Sequence, residues 1–269
     1  MLGKSPKSVI TGAGGGLGRA FAEELALRGS TMLLSDIDEP GLAETKRLVE
    51  QTGGTAHTIR CDVAKTADVA ALEERARELL GETDLIINNA GVAVAGKVGE
   101  VPLEDWDWLL GINLRGVIAG CHFFIPAMRR AGHGHILNVA SIAAFASPGE
   151  MSAYNVSKAG VVALSETLAA ELTGSGVGVT VLCPYFFKTN ILKSARSRST
   201  AGDFAEKLME RSAVQARGVA SQALGACEKD ELYVFPHKEA KLIAALKRSA
   251  PETMIKKLGP WLASKSKRA

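Results

Sequence analysis

The run Ser-Val-Ile-Thr at Ser8–Thr11 passes directly into the glycine-rich turn Gly12–Gly18 and then into a stretch of helical period. A glycine cluster alone marks only a flexible turn, but between a strand and a helix it defines the start of a βα unit. The pattern then repeats. Strands are predicted near Ser8–Thr11, Thr31–Asp36, Ala56–Cys61, Leu85–Asn88, His135–Val139, Gly178–Leu182 and Leu232–Phe235. Helices are predicted over Gly16–Leu27, Pro40–Gln51, Ala67–Leu80, Leu103–Arg130, Ser152–Ser175 and Ala216–Cys227. Such alternation specifies an α/β fold, a doubly wound Rossmann-type parallel sheet of seven strands with helices on both faces. Right-handed crossovers place any ligand at the carboxyl ends of the strands.

A chain of 269 residues can form this fold as one domain, residues 1–269. Hydrophobic residues at 46% against 23% charged argue against disorder, and a net charge of +3 is too small to indicate nucleic-acid binding. Cys61, Cys121, Cys183 and Cys227 form no CxxC pair, and His133 with His135 reads as the turn into a strand. Neither a disulfide framework nor a metal site is expected, and the thiols fit a reduced, cytoplasmic setting. Met1–Lys7 carries no signal-peptide pattern, and no uninterrupted apolar run reaches bilayer length.

The turn, with Gly12, Gly16, Leu17 and Gly18, brings backbone N–H groups and a helix N-terminus toward a pyrophosphate, forming a phosphate cradle. Asp36 closes the second strand, where a carboxylate accepts hydrogen bonds from both ribose hydroxyls of an adenosine and repels a 2′-phosphate. Ser35 and Ile37 beside it are not basic, and Gly15 stands where an arginine could grip that phosphate. NAD is therefore expected rather than NADP.

Tyr154 and Lys158 are one helical turn apart, so they share a face. A phenol with a pKa of about 10 is a poor base at neutral pH, and an adjacent ammonium with a positive nicotinamide ring is expected to lower it by about 3 units. Tyr154 then serves as base in alcohol oxidation and as acid in ketone reduction. Ser141 follows the strand His135–Val139 and is expected at the carboxyl edge of the sheet.

These residues, with Asp62 in Cys-Asp-Val, Asn-Asn-Ala-Gly at Asn88–Gly91, Asn113, Pro184 and Thr189, make the chain resemble the short-chain dehydrogenase/reductase family, in its shorter single-domain form. The resemblance runs from about Ser8 to Thr189. It implies that Asp62 and Val63 flank the adenine, that Asn89, Ala90 and Gly91 support the central sheet and cofactor, and that Thr189 holds the nicotinamide carboxamide. It further implies that Ser141 polarises the substrate oxygen, that Lys158 also binds the nicotinamide ribose, and that Asn113 anchors a water relaying protons to Lys158.

Departures from the family begin at Pro184, which is followed by Tyr185-Phe186-Phe187 instead of glycine. Tyr185 either narrows the site or turns its ring into the core. With Val92, Val94, Ile142, Phe145 and Met151 on neighbouring loops, the cavity is expected to be apolar. Ser141, Phe145, Met151, Tyr154 and Tyr185 are the candidate substrate contacts, for a secondary alcohol or ketone on a steroid-like, terpenoid or long-chain body. Residues 185–211 read as a substrate lid and 237–269 as a C-terminal extension, which includes an amphipathic stretch at Ala240–Leu246. That extension either packs as core or lid or touches a membrane through Met254, Ile255, Leu258 and Trp261; membrane contact is the less favoured of these. A homodimer through the long helices at Leu103 and Ser152, or a homotetramer, is expected. The alternatives are an NADPH-dependent carbonyl reductase and, in another class, a catalytically silent dinucleotide sensor.

Overall fold

A computed structural model describes residues 2–3, 5–188, 191, 196, 209, 212 and 214–256. Its centre is a seven-stranded sheet in the order β3-β2-β1-β4-β5-β6-β7, with every neighbouring pair parallel. The strands are β1 (Ser8–Thr11), β2 (Thr31–Asp36), β3 (Thr55–Arg60), β4 (Leu85–Asn88), β5 (Gly134–Val139), β6 (Val177–Leu182) and β7 (Tyr233–Val234). The helices are α1 (Gly16–Ala26), α2 (Glu39–Gln51), α3 (Thr66–Leu80), α4 (Leu103–Leu110), α5 (Gly116–Ala131), α6 (Ala143–Ala146), α7 (Ser152–Glu171), α8 (Ala216–Glu228) and α9 (Lys238–Ser249).

Because side chains alternate across a strand, each strand feeds two cores. Val9, Leu33, Ile86, Ile136 and Val179 pack with α3, α5 and α7. Ile10, Leu34, Ile87, Leu137 and Leu182 pack with α1, α2 and α8 on the opposite face. A third apolar cluster, beyond the strand ends, gathers Ala93, Val94, Val101, Leu109, Ala143, Ala153 and Tyr154.

Three expectations change in detail. The helix expected over Leu103–Arg130 contains a π-helical turn at Gly111–Arg115, and α7 stops at Glu171 rather than Ser175. The last strand shortens to the two residues that pair with Val181 and Leu182. The stretch Leu103–Ala131 has a mean hydropathy of 1.4 over its most apolar window, enough by length and composition to cross a bilayer. Here α5 lies against α3, β4 and β5 and contributes Val117, Phe124 and Met128 to the core. In the C-terminal extension, Ala240, Ala244 and Met254 are buried, as core packing requires, and Ile255 is exposed. Leu258 and Trp261 lie outside the described residues.

Candidate active site

The chain winds outward from β1 in one direction and from β4 in the other, so the crevice of the sheet opens between these two strand ends. Thr11 and Asn89 stitch it together. The Thr11 hydroxyl accepts from the Asn89 and Ala90 N–H groups at 3.0 and 3.1 Å, while the Asn89 amide donates to the Thr11 and Gly12 carbonyls at 2.9 and 3.0 Å.

The glycine turn follows. Gly12 has a φ of +68°, a conformation that favours glycine. At Gly18 a Cβ would overlap the Gly12 carbonyl, so only a bare backbone lets α1 start this close to the turn. Gly15, the N-cap of α1, has no side chain to satisfy the helix's first N–H groups, and Leu17 turns its side chain into the core beneath. This uncapped end with its glycine cradle suits a pyrophosphate. Asp36 stands beside it, with Oδ2 accepting from Gly14 N–H at 2.8 Å and Oδ1 from Asp38 N–H at 3.0 Å. Two braces escaped the sequence reading. Arg19 donates to the Gly14 carbonyl at 2.6 Å and to the Thr45 hydroxyl at 2.9 Å, and that hydroxyl donates to the Ala13 carbonyl at 2.8 Å. Their signal is weak, since both lie on ordinary amphipathic helices. Asp62 accepts from Ala64 N–H at 3.1 Å in a local turn, and Val63 rests against the core beside Gly116.

The chemical groups converge across the crevice. Tyr154 is 9% exposed, and Ser141, which the end of β5 presents, is the neighbour that acts on its phenol. Lys158, 3% exposed, donates from Nζ to the Val139 carbonyl at 2.9 Å, with Nζ 5.7 Å from the Tyr154 ring centroid. Asn113, wholly buried in the π turn, accepts from Val92 N–H at 2.8 Å and donates to the Val92 carbonyl at 2.9 Å. Gly91 lies where Asn113 and Lys158 meet: a Cβ there would stand 3.4 Å from Asn113 Oδ1 and 3.6 Å from Lys158 Nζ.

Burial pushes the Tyr154 phenol up, with the neighbouring Ser141 hydroxyl acting against it. Burial also pulls the Lys158 ammonium down to about 8. Among the protein groups desolvation disfavours the phenolate more than these neighbours favour it, so the expected lowering draws on the nicotinamide charge as well as on Lys158.

Not every expected substrate contact joins this centre. Met151, Val92 and Val94 pack in the Tyr154 cluster, together with Trp106, Trp108 and Ile191. Phe145 lies elsewhere, 7% exposed in the core on one face of the sheet, edge-on to Phe235, and Ile142 is buried in the same core. Tyr185 likewise packs along that core, against Phe186 and His237. Pro184 ties the end of β6 to the site, its carbonyl accepting from Ile142 N–H at 2.9 Å. Thr189 and most of 185–211 lie outside the described residues. Arg196 is described; its backbone pairs with Ala93 and Ala95, its guanidinium bonds Asp105 at 3.0 Å, and it stacks 3.9 Å over the Trp108 ring. Among the described residues no cluster of three His, Cys, Asp or Glu could hold a metal.

Comparison with known proteins agrees with this geometry. The family model described as short chain dehydrogenase matches residues 7–200. A "Probable oxidoreductase EphD" of Mycobacterium tuberculosis is 40% identical over 184 residues, 68% of this chain but only 31% of that longer protein. A short-chain dehydrogenase/reductase from Burkholderia phymatum, solved in complex with NAD, superposes with a TM-score of 0.88 at 33% identity, covering 94% of this chain and 96% of that one. A short-chain dehydrogenase from Sphingobium yanoikuyae, solved with NADPH, gives 0.78 at 29% identity over 94% and 95% of the two chains. With the glycine turn, the β1–β4 crevice and the Ser141, Tyr154 and Lys158 group all inside or along the matched region, the chain belongs to the short-chain dehydrogenase/reductase family of oxidoreductases.

Proposed function

We propose that the chain interconverts a secondary alcohol and a ketone on a hydrophobic body, using NAD(H). The observation that carries this reading is the Tyr154 phenol, beside Ser141 and set in an apolar cluster one helical turn from the Lys158 ammonium. Gly12, Gly16 and Gly18, the start of α1, Asp36, Asp62 with Val63, and Asn89 to Gly91 hold the dinucleotide, which when bound supplies the hydride acceptor or donor. Ser141 donates to the substrate oxygen and Tyr154 exchanges the hydroxyl proton, taking it in oxidation and returning it in reduction. Lys158 contributes positive charge that favours the phenolate, and Asn113 holds Val92 and so the floor of the site. Met151, Val94, Trp106 and Ile191 supply an apolar wall, which suits a steroid-like, terpenoid or long-chain substrate.

The preference for NAD rests on the Asp36 carboxylate beside the glycine turn. Similar proteins have been solved with either cofactor, so the preference is read from this chain's own β2 end rather than from the family. Exposed Ile118 on α5 and Val156 on α7 support a homodimer through these long helices.

The test is NADH formation from NAD and a panel of hydrophobic secondary alcohols, for the parent and Tyr154→Phe. The variant keeps the ring and loses the proton, so turnover falls by at least about 100-fold while NADH binding is retained. Turnover undiminished in Tyr154→Phe overturns the assignment, and cofactor binding without turnover of any alcohol or ketone favours a sensor.

A further inference from the structure

His237 lies beyond the residues the family model matches, at the N-cap of α9, yet it is 5% exposed and its ring joins two distant parts of the chain. Its Nδ1 lies 3.2 Å from Tyr185 N, the first residue after Pro184 at the exit of β6. Its Nε2 lies 3.3 Å from both the Val214 carbonyl and the Ser212 hydroxyl, where the chain returns before α8. A backbone N–H can only donate, so Nδ1 must be the acceptor and Nε2 must carry the proton. The ring therefore uses both nitrogens, one for each end of the β6–α8 connection. Phe187 stacks against it at 6.2 Å and Tyr185 packs obliquely at 6.3 Å, which leaves the imidazole little freedom. Burial favours its neutral form, against the opposing influence of the Val214 hydrogen bond and the Glu239 carboxylate.

Tyr185 is linked through the backbone to Ser141. It follows Pro184, whose carbonyl holds Ile142 N–H, and Ile142 follows Ser141. A shift of the backbone at Tyr185 is thus passed through two residues to the Ser141 hydroxyl beside Tyr154. We propose that His237 is a positioning residue for the substrate side of the site, clasping Tyr185 to Ser212 and Val214 and so fixing the Pro184–Ile142 edge that presents Ser141. This rests on the alcohol–ketone reading only for its catalytic consequence; the clasp itself is measured without turnover.

The experiment has three readouts. Two-bond nitrogen–proton correlation on the 15N-labelled full chain is expected to show His237 with Nδ1 bare and Nε2 protonated; a proton on Nδ1 overturns the proposal and needs no variant. Hydrogen exchange of the Tyr185 amide is expected to quicken by about tenfold in His237→Leu, the cost of one lost buried acceptor, while β1 and β4 amides keep their rates. His237→Asn, which restores an acceptor near Nδ1, is expected to recover most of that protection, and equal exchange in parent and His237→Leu refutes the clasp. With whichever secondary alcohol the parent oxidises fastest, KM for the alcohol is expected to rise by about fivefold or more in His237→Leu, with NAD affinity unchanged and His237→Asn intermediate. An unchanged KM, with the exchange result as expected, confines His237 to stability and overturns its positioning role. Absence of any turnover in the parent would count against the alcohol–ketone reading, and the tautomer and exchange results would still decide the clasp.

Discussion

Asp36 gives the sharpest test of cofactor choice because its carboxylate has two jobs. It supports the glycine turn through the Gly14 and Asp38 amides, and it places a negative charge where the adenosine ribose is expected. Asp36→Asn and Asp36→Ala separate them. A hydrogen bond to a charged acceptor contributes about 1.5–3 kcal/mol and one between neutral groups about 0.5–1.5 kcal/mol. Asn has a single acceptor oxygen, so it retains one of the two bonds in weaker form, whereas Ala retains neither. Asp36 is only half-buried, so water recovers part of the loss. The expected destabilisation is about 1–2 kcal/mol for Asn and about 2–3 kcal/mol for Ala. The charge disappears equally in both. Like charges held together cost several kcal/mol when dry, and less in a half-exposed site, so both variants should raise the NADP-to-NAD affinity ratio by about tenfold or more. Titrating both cofactors against the three proteins, with urea unfolding alongside, checks this. Tighter binding of NADP by the parent refutes the NAD assignment. A ratio that moves far more in Ala than in Asn shows that turn geometry, rather than charge, selects the cofactor.

Asn113→Leu leaves Val92 N–H and C=O without their buried partner and is expected to cost about 3 kcal/mol in urea unfolding, with a loss of turnover that exceeds any loss of NADH binding. Gly18→Ala drives a methyl into the Gly12 carbonyl, so NADH binding followed by fluorescence is expected to weaken by about tenfold or more. His135, 3% exposed with Nε2 2.8 Å from the Thr180 hydroxyl, is pulled down from 6.5 to about 4, chiefly by burial. The unfolded chain therefore binds this proton at higher pH than the folded one, so stability is full above about pH 6.5 and falls by up to about 3 kcal/mol as pH drops toward 4. Unfolding free energies at pH 7 and pH 5 should show that slope in the parent and lose it in His135→Asn.

The sheet and the approach of Tyr154 to Lys158 were legible because local sequence places them. A four-residue strand followed by glycines leaves the chain few courses, and Tyr154 shares a face with Lys158 through helical spacing alone. The seven strands consequently fall within two residues of their expected ends. What escaped was set by distant partners. Phe145 is apolar and adjacent to the site in sequence, yet its ring packs edge-on to Phe235 in the core that α3, α5 and α7 share. The π turn at Gly111–Arg115 has no composition of its own; it becomes intelligible only with Asn113 bonded to both polar groups of Val92. The lid expected over 185–211 falls mostly outside the described residues, and Thr189 with it.

The same division explains why the reaction class was easier to read than the substrate. Proton transfer needs a few groups within hydrogen-bonding reach, and one helix and one strand end suffice to hold them. The apolar cluster around Tyr154, proposed as the substrate wall, is assembled from segments far apart in sequence: Val94 after β4, Trp106 and Trp108 on α4, Met151 before α7, and Ile191 beyond β6. Arg196 joins two of these segments, pairing its backbone with Ala93 and Ala95 and laying its guanidinium over Trp108, while its charge meets Asp105. None of these contacts has a fixed spacing along the chain, so periodicity cannot signal them. They are nevertheless the contacts that gather Val94, Trp106, Trp108, Met151 and Ile191 around Tyr154, the cluster on which the proposed substrate wall rests.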